Sequence, residues 1–547
     1  MAMKKKGIIG ILSVAMIATI TGCTQTKESQ NMSQSQTQSQ TEEVKKSDTV
    51  TAYVGTNIFE ESLDPIKGAM SYGYAFTNNA LLKVNSDSEY VGDLATDWSI
   101  SEDALTYTFT LKEGVKFSDG SDFTAADVVF TYDTVHENQA NNESVDLTCL
   151  ESVKAIDDYT VEMKLSEAYS PFFDTVAMLQ IVPSDAYDST LFDTQPIGTG
   201  AYKVVQYDTN QQMILEANEY YFGEIPDIEN ITLVYMESDA AFAAAKSGQL
   251  DIVMVGAGYA TEEIPEMRLE AFETMDVRNI SLPVRPQQTV KDADGNDIVI
   301  GNNVTCDKAV REALSIGLNR EEIIQNAFNG IGVPAIHFTN NLAWATEETY
   351  EDGRMEEAIQ ILEDAGWMDE NKDGIREKDG QDCTFDVYAP GTDEDRYRLA
   401  VAMAENASEL GIKIEVKTAS WDELTTLRHT SGVVYGWGQY SPTVLNSHFN
   451  SELFLNGGSG NVVGLDNDEI DAKIAEAISA NNQEDAITAW KEVQDLANAE
   501  YPYLYLVNIE HCYFVNDQLD LSLDTQIPHP HGHGSPVICN MADWTWK

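Results

Sequence analysis

Apolar positions recur along the chain at two periods. Thr106-Tyr107-Thr108-Phe109-Thr110-Leu111 alternates at period two, which predicts a half-buried strand closed by a turn at Gly114. Thr124 then opens a helix, with Asp127 at the capping-box position and Val128, Val129 and Tyr132 directed to a core. Ser238 opens a short alanine-rich helix that Gly248 ends, and the apolar run 252–255 reads as a buried strand. Two helices are expected in 306–328, capped by Asp307 and Asn319, with Glu322 completing a second capping box. Phe385-Asp386-Val387-Tyr388 is a strand, followed by a helix with Leu399, Met403, Ala407 and Leu410 on one face, stopped by Gly411. Ile412, Ile414 and Val416 alternate as the next strand. Ser420-Trp421-Asp422-Glu423 is a capping box for another helix, and Val433-Val434-Tyr435-Gly436-Trp437 is a third strand. This β-α-β-α-β order predicts a largely parallel sheet covered on both faces. Ligands of such sheets sit beyond the C-terminal ends of the strands, so the loop 436–442 is a candidate site.

The first fifty residues follow another pattern. Lys4, Lys5 and Lys6 precede an apolar run at 7–20, the length of a signal-peptide core and short of the ~20 residues that span a bilayer. The run ends Ile20-Thr21-Gly22-Cys23, which resembles the lipobox of bacterial lipoproteins. That resemblance implies cleavage after Gly22 and a diacylglycerol-modified Cys23; the alternative is an ordinary secretory signal with an incidental cysteine. Residues 24–47 have almost no apolar side chains and are expected to form a disordered polar tether, which would hold a domain off a membrane and let it move. The mature chain is expected on the outer face of the cytoplasmic membrane, at the cell surface or in the periplasm.

Length and charge narrow the function classes. A chain of 547 residues has room for several domains. Its formal net charge of −58 repels phosphate backbones, which argues against nucleic-acid binding and leaves cations and zwitterions admissible. Beyond Cys23 there are Cys149, Cys306, Cys383, Cys512 and Cys539; an odd number leaves at least one unpaired, and no CxxC exists to suggest a zinc ribbon or redox motif. No catalytic constellation stands out. Lys246-Ser247 lacks the glycine frame of a P-loop, Gly457-Gly458-Ser459-Gly460 does not form a nucleophile elbow, and His136-Glu137 lacks the second histidine of a zincin. The reading is therefore of a binding protein and not an enzyme.

A series of landmarks resembles the peptide/nickel class of solute-binding proteins, family 5, which serve bacterial ABC importers. The first is Leu94-Ala95-Thr96-Asp97-Trp98, then Leu105 through Phe117-Ser118-Asp119-Gly120 and Thr124-Ala125-Ala126-Asp127-Val128. The others are Pro196-Ile197-Gly198-Thr199-Gly200-Ala201-Tyr202, Val310-Arg311-Glu312-Ala313-Leu314 with Asn319-Arg320-Glu321, and Leu362-Glu363-Asp364-Ala365-Gly366-Trp367. The resemblance implies a two-lobed α/β fold of periplasmic-binding-protein type, with an extra subdomain in the first lobe and a ligand enclosed at the hinge. The first lobe is expected at 48–281 plus 508–547, its inserted subdomain at about 63–195, and the second lobe at 282–507. The implied partners are permease and ATPase subunits, the implied cargo a peptide or related small solute, and the implied state a monomer. A nickel or metal-chelate carrier of the same class is the alternative. A sensor or adhesin that reuses the fold without transport is a second.

By the same resemblance Asn57 and Phe59 lie at the inter-lobe opening, with Trp421, Tyr435, Trp437, Gln439, Tyr440 and Ser441 near the cleft. Peptide-binding members place an aspartate after the Trp-containing strand to pair with the peptide amine; here Gln439 and Ser441 are neutral. Nickel-binding members have a Trp-Gly-x-x-Tyr-Asp-Pro-like run, which Trp437-Gly438 and Tyr440-Ser441-Pro442 resemble with one deletion and the aspartate lost. The run Pro528-His529-Pro530-His531-Gly532-His533-Gly534 admits two readings. His529, His531 and His533 could converge on Ni, Cu or Zn with His511 or Cys512 near in sequence, or the Pro/Gly loop could be a turn whose histidines pack on Trp544 and Trp546. Asp369-Glu370-Asn371-Lys372-Asp373-Gly374-Ile375 resembles the start of a calcium loop, but Gly380 stands where the bidentate Glu of an EF-hand belongs, and a solvated turn is expected.

Overall fold

A computed structural model describes residues 48–59, 62–68, 76–86, 89–139, 142, 145–292, 295–339, 342–347, 349, 351–456, 460–527, 529 and 533–547. The signal segment, Cys23 and the tether lie outside these residues, as does His531.

The fold is α/β and two-lobed, tied together by one mixed sheet. Among the described residues this sheet has 11 strands. Its second-lobe end starts with Lys413–Ala419, Thr384–Pro390 and Gly432–Trp437, paired in parallel as their sequence order demands. The expectation of a parallel sheet stops there. Gly432–Trp437 pairs antiparallel with Met267–Ser281, which pairs antiparallel with Tyr503–Asn516. These two long strands run through both lobes. Their far halves join Ile252–Val255, Thr49–Tyr53, Asn230–Val234 and the hairpin Gln212–Ala217 with Tyr202–Asp208. Separate apolar cores lie on either side: one around Val50, Leu215 and Trp544, others around Leu314, Met403, Val444 and Trp490. A third body, with its own four-stranded sheet, packs Phe109, Phe117, Tyr132 and Phe172.

Local chemistry follows the sequence closely in this frame. Both ends of the Thr124–Asp127 box are made, as are both ends of the Ser420–Glu423 box. The second expected box is not. Asn319 caps the Glu322 N–H, but the Asn319 N–H donates to Asn406 Oδ1 at 2.9 Å, so Glu322 is displaced to accept from Asn406 Nδ2. A tertiary partner outcompetes the local one. The helix at 238 runs Ser238–Lys246 with Glu237 at the N-cap position and no side-chain capping bond, and Gly248 is left-handed at φ +72° beyond it. All five described cysteines are free thiols.

Candidate functional site

Where Met267–Ser281 crosses between lobes, its pairing with Tyr503–Asn516 breaks between Glu273 and Val277. The irregularity is hydrogen-bonded in place: Thr274 Oγ1 donates to Ile509 O at 2.7 Å, Asn508 Nδ2 to Thr274 O at 2.8 Å, and the Asp276 N–H to Thr274 Oγ1 at 3.0 Å. Bulges of this kind re-aim side chains. Here the consequence is a wholly buried carboxylate, Asp276, paired with the guanidinium of Arg278, two residues on along the same strand.

Arg278 is one of two guanidiniums that meet at a point. Its Nη1 donates to His533 Nε2 at 3.2 Å, and Arg396 Nη2 donates to the same nitrogen at 3.3 Å. The same nitrogen lies 3.6 Å from Asp276 Oδ2. Arg396 comes from the first turn of the helix Glu394–Ser408, whose N-cap Asp393 lies 3.3 Å from Arg396 Nε. His533 comes from the C-terminal segment, so the contact joins the two lobes. Burial, then the neighbouring Arg278 charge, lowers the Arg396 pKa to about 10. Burial alone would raise Asp276, but Arg278, His533, Arg396 and His511 outweigh it and hold that carboxyl at about 2. Burial keeps His511 neutral, with its pKa lowered to about 4. Beside this cluster is a cavity of about 200 Å³ that Tyr53, Arg278, Asp393, Glu510 and His511 help to line.

An aromatic wall borders the guanidiniums. Arg396 lies over the Trp421 ring at 5.3 Å, Trp421 stacks on Tyr435 at 6.3 Å, and Tyr435 meets Trp437 at 5.2 Å. Trp421 remains 47% exposed, so this face is open to a ligand. Gly438 is required by packing: a Cβ there would run into the Met275 carbonyl.

At the outer end of the cleft the lobes touch again. Ser441 Oγ donates to Asp174 Oδ2 of the inserted body at 2.9 Å, and the Tyr90 hydroxyl donates to the other carboxylate oxygen. Ser170 N donates to Ile478 O at 2.8 Å, Ser170 Oγ to Ala477 O at 2.7 Å, and Gln483 Nε2 to Ser170 O at 3.0 Å. Burial raises the Asp174 pKa to about 6, and among the described residues no cationic side chain bonds to it.

A sequence profile, that of the bacterial extracellular solute-binding proteins, family 5 (middle region), matches residues 89–459. The chain belongs to that family. Protein XP55 of Streptomyces lividans is 28% identical over 496 residues, covering 88% of each chain. The oligopeptide-binding protein AppA of Bacillus subtilis is 26% identical over 531 residues, covering 92% of this chain and 93% of its own. Among solved structures, NikA from Brucella suis in complex with Fe(III)-EDTA superposes with a TM-score of 0.78 at 20% identity, covering 91% of this chain and all (100%) of NikA.

In this family 5 chain the sequence landmarks hold the fold. Arg311 donates to the carbonyls of Thr305 and Glu500, Arg320 pairs with Asp352 and donates to the carbonyls of Ala335 and Tyr505, and Trp367 Nε1 donates to Asp307. The candidate site residues divide. Trp421, Tyr435 and Trp437 form the wall; Tyr440 and Ser441 meet the inserted body, with Tyr440 edge-on to Tyr90 at 5.7 Å. Gln439 is exposed. Asn57 lies in a 3-10 turn after the first strand. Phe59 is 6% exposed and packs against Tyr207 and Tyr235 within the first-lobe core.

Of the histidine run, His529 and His533 are described: His529 is buried beside Gly534, while His533 Nε2 meets two guanidiniums and lies 3.6 Å from Asp276 Oδ2. Among the described residues, the His, Cys, Asp and Glu groups close enough to share an ion are Asp369, Asp373 and Glu377, in the surface turn, where Gly374 N donates to Asp369 and Asn371 Nδ2 to Asp373. Asp174, Asp276, Arg278 and Arg396 were not singled out from sequence. Asp276 and Arg278 had no distinguishing signal, because Arg268 and Glu270 alternate on the same face of that strand and Glu273 adds another charge. Asp174 and Arg396 had none beyond ordinary helix-start positions.

Proposed function

We propose that this chain is the membrane-anchored solute-binding component of an ABC importer, capturing a small carboxylate-bearing solute of the peptide class and passing it to a permease. The carrying observation is the convergence of Arg278 and Arg396 on one acceptor atom. Two guanidinium donors aimed at one imidazole nitrogen are poorly matched, and a carboxylate there would accept both bonds with charge assistance, sharing Arg278 with Asp276, whose Oδ2 lies 3.6 Å from that nitrogen. Trp421 and Tyr435 would cover the solute's apolar part, and hinge closure would remove it from water. The proposed role is binding without chemistry, in keeping with the solute-binding family to which the chain belongs. We take the lobes as 48–281 with 508–547 and 282–507, the inserted subdomain as about 63–195, and the protein as a monomer tethered through a lipid on Cys23.

A metal chelate is the second reading. The carboxylates of a chelate would suit the arginine pair as well as a peptide terminus, and NikA was solved with Fe(III)-EDTA. A metal held directly by His529, His531 and His533 would have to displace the two guanidiniums that bond His533 Nε2. Calorimetric titration of wild type and Arg396→Met with a peptide library and with Ni(II)-EDTA tests both. Saturable binding of one class that weakens at least about tenfold in the variant supports the assignment, at roughly the worth of one charge-assisted hydrogen bond. Equal affinity in the two proteins would overturn it.

A further inference from the structure

The outer contact between lobes is built around a carboxylate to which, among the described residues, no cationic side chain bonds. Asp174 lies in the helix Phe172–Met178 of the inserted body, 7% exposed, and its two oxygens are taken by Tyr90 of its own body and Ser441 of the second lobe. The other titratable groups near it are phenols and acids: Tyr169 beside it, Tyr440 opposite, and Glu89 and Asp146 farther out. All of these disfavour a charge on Asp174 or leave it uncompensated. We propose that the Asp174–Ser441 pair is a proton-linked latch: closing the lobes buries the carboxylate under Ser441 and Tyr440, and the closed state therefore takes up a proton that the open state releases.

The geometry accepts either form. Ionised, Asp174 receives the Ser441 hydroxyl at 2.9 Å. Protonated, its own O–H donates to Ser441 Oγ, which passes its hydrogen to Thr443 Oγ1 at 3.0 Å, while Tyr90 stays on the other oxygen. No bond is lost, so protonation removes the cost of burying charge and leaves the latch intact. The sign follows from linkage. In the open state the carboxyl regains water and its usual pKa near 4; in the closed state burial lifts it to about 6. Closure is thus favoured as pH falls, by about tenfold in the closed-to-open ratio between pH 7 and pH 5.

The test uses the ligand-free full chain, so it stands apart from the assignment of the solute. Small-angle scattering and a fluorescence pair placed one on each lobe are recorded at pH 7 and pH 5. Wild type should compact at pH 5, and Asp174→Asn, neutral and of the same shape, should be equally compact at both values. Ser441→Ala, which alters only the second lobe, should shift toward the open form at pH 5 with its melting temperature unchanged. An unchanged wild-type shape across this range, or a pH response that survives in Asp174→Asn, would overturn the latch.

Discussion

The two ends of the cleft solve the burial of charge in opposite ways. At the hinge, Asp276 is wholly buried yet stays ionised, because Arg278 pairs with it and Arg396 stands near. At the rim, Asp174 is buried among hydroxyls and rings, and its pKa rises. The hinge therefore keeps fixed charges and offers spare donors to a solute, whereas the rim holds a group whose charge depends on pH. Pairing decides which carboxylate is structural and which can switch.

The largest effect should come from breaking the hinge pair. Arg278→Leu removes the ion-pair partner of the buried Asp276, leaving His533 and the more distant Arg396, and is expected to cost about 3–5 kcal/mol of stability in urea unfolding. Asp174→Asn should cost far less, since no cation is stranded; a rim variant as damaging as the hinge variant would erase the contrast. Gly438→Ala comes next, at about 1–3 kcal/mol, because its methyl group must displace the Met275 backbone beside the wall. Acid then separates the two carboxylates by sign. Asp276 is depressed, so the stability it contributes is present above its unfolded pKa near 4 and is lost as pH falls through about 2. Asp174 is raised, so wild type should lose stability relative to Asp174→Asn as pH rises from near 4 to about 6 and differ little further below that window. The smallest change should be Ser420→Ala, which removes a capping box at about 1 kcal/mol and leaves solute affinity untouched.

Much of the second lobe was legible because its signals are local. The helix Glu394–Ser408, the two parallel-paired strands beside it and the cap at Ser420 follow from spacing and short-range hydrogen bonding, as does the cap at Thr124 in the inserted body. What failed depended on distant partners. Asn406 took the place of Glu322 at the Asn319 cap, and the strand Gly432–Trp437 found an antiparallel neighbour more than 150 residues away. The site shows the same divide. Trp421, Tyr435 and Trp437 could be read from a strand end, but the charges that give the cleft its chemistry come from three segments far apart in sequence: Asp276 with Arg278, Arg396, and His533.

Native mass spectrometry after exposure to one peptide series, made with free and with amidated C-termini, tests the arginine pair most directly. Peptides with a free carboxylate should be retained by wild type and lost from Arg396→Met, while the amidated series should be retained by neither. Equal retention of free and amidated peptides would show that Arg278 and Arg396 do not hold the solute.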